Sequence, residues 1–343
     1  MIEIDGSFGE GGGQILRSSL ALSALTGRPV HIRNIRARRP KPGLQAQHLQ
    51  SVRAAAISGG QLRGASLGSC DLTFEPGEVV PGNYRFDIGT AGATGLVLHT
   101  IYLPLARRGG GPAEVTLVGG THVTTSPSFH FLDGTWRRYL ELAGLHVSLR
   151  LDRPGFYPRG GGVVRAFLQP AARLRGLNMR ERGPVTIRGV SAVAGLDRNI
   201  ARRQARRAVF RLGQAGHEAR IDEESWEGGP GTVLALTVET EPVPAVFVGL
   251  GARGKPAETV ADEAVEEVLA YLHASDALVD PHSADQLVLP LALAEGPSEY
   301  RTTEVTRHLT TNVAVIRHFL DRDIAIEGEE GAPGRVVVGP PAV

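Results

Sequence analysis

What this chain lacks narrows its chemistry first. Its 343 residues hold one cysteine, Cys70, which excludes an intramolecular disulfide and a cysteine-rich zinc site and fits a reducing compartment. No apolar run reaches membrane-spanning length and no signal sequence is visible at Met1–Asp5, so a soluble, cytoplasmic protein without a membrane partner is the expectation. The formal net charge is only +1, so a nucleic-acid partner needs a local basic patch rather than global attraction. No serine nucleophile stands out with a paired histidine and aspartate, and no histidine spacing suits zinc. Glycine, in contrast, is plentiful: 44 glycines and 22 prolines imply many turns in an otherwise ordinary globular composition. The length alone suggests about two domains.

The densest glycine stretch is Gly9-Glu10-Gly11-Gly12-Gly13-Gln14-Ile15-Leu16-Arg17. It follows the apolar run Met1–Ile4 and opens a periodic segment, Ile15–Leu25, so it reads as strand, glycine turn and helix start. Such a turn suits a polyanion, because glycines let backbone approach a ligand and free N–H groups at a helix N-terminus attract phosphate. Glu10 beside phosphates requires an intervening divalent cation, which makes it a candidate metal ligand; its alternative is an acid placed on the helix dipole. The stretch is neither a P-loop nor a dinucleotide fingerprint, lacking the Lys-Ser/Thr ending of one and the spacing of the other.

Along the chain one unit repeats. The first copy is predicted as strand Ile2–Asp5, helix Gln14–Leu25, strand Val30–Ile35, helix Leu44–Ser58 and strands around Leu67 and Leu72–Phe74. A second copy runs from strand Tyr84–Ile88 to strand Val163–Leu168, and a third from helix Asp285–Leu293 through helix Asn312–Leu320 to strand Arg335–Val338. Between about 183 and 276 lies a self-contained pattern, read as a smaller domain inserted at a surface turn, because a serial domain would leave the last repeat without its opening strand. The division is therefore 1–182 with 277–343 for the large domain and 183–276 for the insert. Within the insert, the helix beginning at Asn199 carries four arginines that either touch RNA phosphates or form a solvated face.

Three further stretches bear on chemistry. Arg36 to His48 puts four cations and two prolines in a stiff loop leading into a helix start, either a phosphate grip or a solvated loop. Tyr157-Pro158-Arg159-Gly160-Gly161-Gly162 reads as a structural turn or bulge. Arg307-His308-Leu309-Thr310-Thr311-Asn312 precedes the last helix; His308 is a cap or packing residue, or a neutral imidazole able to attack phosphorus beside the capping groups Thr310, Thr311 and Asn312.

Taken together, the Gly9–Arg17 motif, the loop from Arg36 to His48 with its Lys-Pro-Gly-Leu core, Gly155 to Gly162, Ala284-Asp285-Gln286 to Pro290 and His308 to Asn312 resemble the RNA 3'-terminal phosphate cyclase family, in the right order along nearly the whole chain. The resemblance implies an α/β (α+β) fold: a large domain of three βαβαββ repeats with a smaller inserted α/β domain. It implies an enzyme that uses ATP and a divalent cation, Mg or Mn, to convert an RNA 3'-terminal phosphate to a 2',3'-cyclic phosphodiester, releasing AMP and pyrophosphate through a covalent histidinyl-AMP and an RNA-adenylate. By position, His308 is the nucleophile and Glu10 the metal ligand. Arg17, Arg36, Arg39 and Gln47 hold phosphates, while Pro127, Asp285 and Gln286, with His99, His282, Ser283 and Ala284, form the nucleoside pocket. The implied partners are ATP and RNA with a 3'-phosphate end; a homodimer is allowed but not required.

The family commonly carries glutamine at the position of His99 and an aromatic residue at that of His282, and either histidine can stack on or bond to adenine. Pro154 stands where a basic residue usually precedes the triple-glycine signature, with Arg153 one place earlier. A nucleolar branch of the family acts in ribosome assembly and lacks the histidine; His308, Glu10 and the arginine cluster argue against that branch. Apart from any resemblance, a repeat-built α/β transferase for small phosphorylated substrates also fits the glycine turns and basic loops.

Overall fold

The computed structural model describes residues 1–179, 182–274 and 277–341. The chain opens with β1 (Ile2–Asp5), α1 (Gly13–Thr26), β2 (Val30–Arg33), α2 (Ala46–Ala55), β3 (Gln61–Arg63) and β4 (Leu72–Glu75), whose sheet order is β1-β2-β4-β3. β1 and β2 run parallel, because a helix crosses between them, and the pairs after α2 are antiparallel. The third strand of this unit lies at Gln61–Arg63, not around Leu67, which sits exposed in the turn that follows. Apolar content drew the sequence reading to Leu67, whereas pairing with β4 fixes the strand earlier.

The same topology recurs in β5 (Asn83–Asp87), α3 (Thr94–Arg108), β6 (Ala113–Gly119), α4 (Phe129–Phe131) running through a π turn at Leu132–Trp136 into α5 (Arg137–Leu142), β7 (Val147–Arg153) and β8 (Gly162–Leu168), ordered β5-β6-β8-β7. The third copy begins with β9 (Asn178–Met179), two residues paired parallel to a strand far downstream. Before it continues, the chain makes β10 (Thr186–Ala194), α6 (Arg198–Gln214), β11 (Ala219–Trp226), β12 (Gly231–Glu239), β13 (Ala245–Leu250) and α7 (Ala257–His273), a separate sheet ordered β11-β10-β12-β13. The interrupted repeat then resumes with α8 (Pro281–Ala292), β14 (Ser298–Thr302), α9 (Arg307–Phe319), β15 (Ile324–Glu327) and β16 (Gly334–Val338), giving β15-β16-β14-β9. Among the described residues, then, the fold is mixed α/β with three βαβαββ units and a smaller α/β unit between β9 and α8. Of the division read from the sequence, the limits at 276 and 343 lie outside the described residues.

Two helices start earlier than the apolar period predicts. α8 begins at Pro281, with Asp280 accepting from the Ser283 amide at 2.9 Å, and α9 at Arg307, with Thr306 accepting from the Leu309 amide at 3.0 Å. Both are N-cap signals whose polar first turns show no apolar stripe. The cap of α9 is thus Thr306, and Thr310, Thr311 and Asn312 lie inside the helix, where other partners take their side chains.

One continuous core unites the three repeats, with Trp136, Tyr139, Tyr300 and Phe74 among its fully buried side chains. The unit between β9 and α8 has its own core around Leu212, Leu234, Phe247 and Tyr271. A small third cluster, Phe156 with Ala192, Ala194 and Val233, joins the two. Three arginines of α6 pair with α7: Arg203 grips Glu258 at 2.6 and 2.8 Å, and Arg207 and Arg211 share Asp262 at 2.8 Å, while Arg202 lies 3.8 Å from Glu223 of β11. No helix among the described residues is long and apolar enough to cross a membrane.

Candidate active site

The starts of α1 and α9 meet, and the glycine turn is what lets them meet. Gly9 has φ 54°, and a methyl group there would collide with Thr311 Oγ1 of α9. At Gly13 a methyl carbon would lie 2.5 Å from His48 Nε2 and 2.7 Å from Arg17 Nη1. Glycine is demanded here because side chains of α1, α2 and α9 already fill the space a Cβ needs.

Glu10 projects into this junction. Its amide donates to Thr311 Oγ1 at 3.2 Å, its carbonyl accepts from Arg39 at 3.0 Å, and its Oε2 accepts from the same guanidinium. The side chain is only 7% exposed, and Oε1, 3.9 Å from His308 Nδ1, is buried with no hydrogen-bond partner. Burial lowers the pKa of the His308 imidazole; Glu10 opposes this, while Arg17, Arg39 and His282 add to it. The net shift is downward, so the ring is largely neutral at physiological pH. Arg17, pulled down to about 10 by burial, keeps its charge and has no hydrogen-bond partner among the described residues.

A chain of polar contacts fixes α9 against α1 and α8. Ser18 Oγ donates to Asn312 Oδ1 at 2.6 Å, Asn312 Nδ2 donates to the Asp285 carbonyl at 2.8 Å, and Thr306 Oγ1 donates to the Asp285 carboxyl. Burial raises the Asp285 pKa to about 8, with the Thr306 hydrogen bond opposing it.

Behind this junction lies a cavity of about 520 Å³. Its wall includes Arg17, His99, Pro127, His282, Asp285, Gln286 and His308, so seven residues singled out in the sequence converge there. Two bring buried polar atoms without partners: His99 Nε2 and Gln286 Oε1. Burial holds the His99 pKa at about 3, and its ring packs 5.1 Å from that of Trp136. The other predicted residues stand off the wall. Ser283 is bonded to Asp280, and the carbonyl of Ala284 accepts from Tyr300 Oη at 3.0 Å. Arg36 donates to the carbonyls of Lys41 and Gly43, and Gln47 Oε1 accepts from the Ala93 amide at the start of α3, at 3.0 Å.

Sequence reasoning missed Tyr102, Trp136 and the wall contributed from between β9 and α8: Val246, Val248, Leu250, Lys255 and Glu267. None carries a local signal, because a valine on β13 facing a cavity has the same pattern as one facing a core.

No group of three or more His, Cys, Asp or Glu side chains among the described residues is arranged to hold a metal ion. The orphaned Oε1 of Glu10 nonetheless suits a divalent cation that takes one carboxylate from the protein and its other ligands from phosphates and water.

A family model described as RNA 3'-terminal phosphate cyclase matches residues 8–326. Proteins of that name align with nearly the whole chain. One from Ralstonia nicotianae is 46% identical over 334 residues, covering 96% of this chain and 95% of its own length. One from Nostoc punctiforme is 45% identical over 329 residues, at 93% and 94%. A third, from Methanopyrus kandleri, is 41% identical over 350 residues and covers 99% of each. The chain is an enzyme-type α/β protein, and it belongs to the RNA 3'-terminal phosphate cyclase family.

Proposed function

We propose that this protein converts an RNA 3'-terminal phosphate to a 2',3'-cyclic phosphodiester at the expense of ATP, with His308 as the covalent nucleophile. The general cyclase activity is that of the family; the nucleotide, the intermediates and the residue roles are our reading. The observation that carries it is the pairing of a half-exposed imidazole, held neutral by burial, with the carboxylate of Glu10 3.9 Å away at the mouth of the cavity.

Glu10 favours a proton on Nδ1 of His308, leaving Nε2 with a free electron pair. That nitrogen attacks the α-phosphorus of ATP; a P–N bond forms and the bond to pyrophosphate breaks. An oxygen of the RNA 3'-phosphate then displaces the histidine, forming a phosphoanhydride with AMP. Attack by the adjacent 2'-hydroxyl on the 3'-phosphorus closes the ring, releases AMP and frees the hydroxyl proton. Arg17, charged and uncommitted, meets the nucleotide phosphates, and Arg39 sets Glu10. A divalent cation bound through Glu10 would neutralise phosphate charge and polarise the reacting P–O bonds. Pro127, His99, His282, Asp285 and Gln286 take the nucleoside, with His99 Nε2 and Gln286 Oε1 as the groups still needing partners. Arg36 and Gln47 act by holding the loop and the start of α3. We also read residues 183–276 as an inserted domain that roofs the nucleoside, and 1–182 with 277–343 as the catalytic body.

Incubation with α-labelled ATP and Mg or Mn tests this. Wild type is expected to retain label through an acid-labile, base-stable bond, and His308→Ala to retain none. A folded, AMP-free wild type that takes up no label overturns the reading.

A further inference from the structure

Two residues before Glu10 the chain exposes an aromatic side chain to which the chemistry above gives no task. This is Phe8, 54% exposed. Its loop is held firmly. The Phe8 amide donates to the Asp5 carbonyl at 3.2 Å, the Gly11 amide to the Phe8 carbonyl at 2.8 Å, and the Glu10 amide to Thr311 at 3.2 Å. A single exposed apolar side chain is ordinary. What sets this one apart is the basic loop beside it, joined to it where Arg39 donates to the Glu10 carbonyl.

Within that loop the cations divide into two kinds. Arg36 and Arg39 are committed to protein acceptors. Arg38 and Lys41 are exposed, and although Arg38 feels the Asp5 charge, neither side chain makes a hydrogen bond or ion pair among the described residues. An exposed aromatic side chain on a held backbone, in a loop tied to one that carries unpaired cations, is a combination that suits single-stranded nucleic acid: bases stack on rings and phosphates meet the charges.

We propose that Phe8 is the platform on which the 3'-terminal base of a single-stranded RNA stacks, with Arg38 and Lys41 meeting the phosphates upstream. The proposal rests on the reading of His308 and Glu10 as the reacting centre. The terminal phosphate must reach that pair, and its own base lies one ribose away, while two residues of chain span at most about 7 Å. Stacking is indifferent to base identity, so the platform accepts any end and reads only that a base is there.

The test is equilibrium binding of fluorescent oligoribonucleotides ending in 3'-phosphate, with or without a base on the last ribose. Wild type is expected to favour the base-bearing end by about tenfold. Phe8→Ala is expected to bind both alike, and Phe8→Trp to restore the preference. A merely structural role for Phe8 would weaken both ligands equally. Equal binding of the two ends by wild type, or a preference that survives in Phe8→Ala, overturns the proposal. Since no ATP is used, a wild type that shows the preference yet takes up no label from ATP would remove the cyclase mechanism and leave the platform standing.

Discussion

The three-repeat body and the unit between β9 and α8 treat polar groups in opposite ways. The body buries groups that titrate, among them His48, His122 and Asp285. The other unit buries only uncharged polar side chains among the described residues, Ser191, Gln204, Thr232 and Thr240, and spends its charges on the seam between α6 and α7. Burying an ionisable group opposes folding unless the group is neutral or well partnered. The body therefore sacrifices stability to hold imidazoles and a carboxyl in fixed protonation states. The smaller unit supplies a wall and a rigid pair of helices.

Acid should break the contrast most strongly. Burial holds His48 and His99 at about 3 and His130 at about 4, and pushes His122 well down. Each is depressed in the fold, so its contribution is intact above the unfolded value of about 6.5 and is lost as pH falls from there. Down to about pH 4 each histidine removes up to about 1.4 kcal/mol per pH unit. Asp285 acts the other way: its pKa is raised to about 8, so its contribution is present below the carboxylate range and fades as pH rises through 8. Four groups outweigh one, and denaturant unfolding at pH 5 against pH 7 should show a large loss in the body. Asp285→Asn should flatten the decline between pH 6.5 and 8 while leaving the acid limb in place.

A smaller effect is expected from cutting the polar chain at the site. Asn312→Ala orphans the Ser18 hydroxyl and the Asp285 carbonyl, and should cost about 2–3 kcal/mol. Unfolding measurements would check the cost, and label uptake from ATP should fall as α9 loses its register. An unchanged unfolding midpoint would mean that α9 is positioned by apolar packing alone.

The least effect is expected in the other unit. Arg207→Ala removes a paired surface charge and should leave the unfolding midpoint almost unchanged in the same curves. Because that guanidinium is already taken by Asp262, affinity for RNA should stay within twofold. A large drop in RNA binding would show that the arginines of α6 exchange partners when RNA arrives.

The repeats were legible in the sequence because alternating strands and apolar helices are local signals, and so was the motif order that marks the family. Glu10, His308 and the arginines were legible as types in a pattern, but not as a set with shared geometry. The errors have physical causes. Leu67 looked like a strand because apolar residues do, and only its neighbours place it in a turn. His308 looked as if it preceded its helix because the first turn of α9 is polar and shows no apolar stripe. Trp136, Val246 and Lys255 were invisible because the cavity they line exists only once α3, α8 and β13 have come together.

The strand β9 has a consequence for how the chain is made. Leu177, just before it, bonds to Ser298, 121 residues later, and β9 pairs with β14. A ribosome delivers β9 long before its partner and emits the whole of the smaller unit in between. That unit has its own core and sheet, so it can fold while the waiting strand is idle. The third repeat then closes around a finished module, and His308 reaches Glu10 only after nearly the entire chain has emerged. Glu10 and His308 are thus brought together late, and a chain cut before α9 never holds the two side by side.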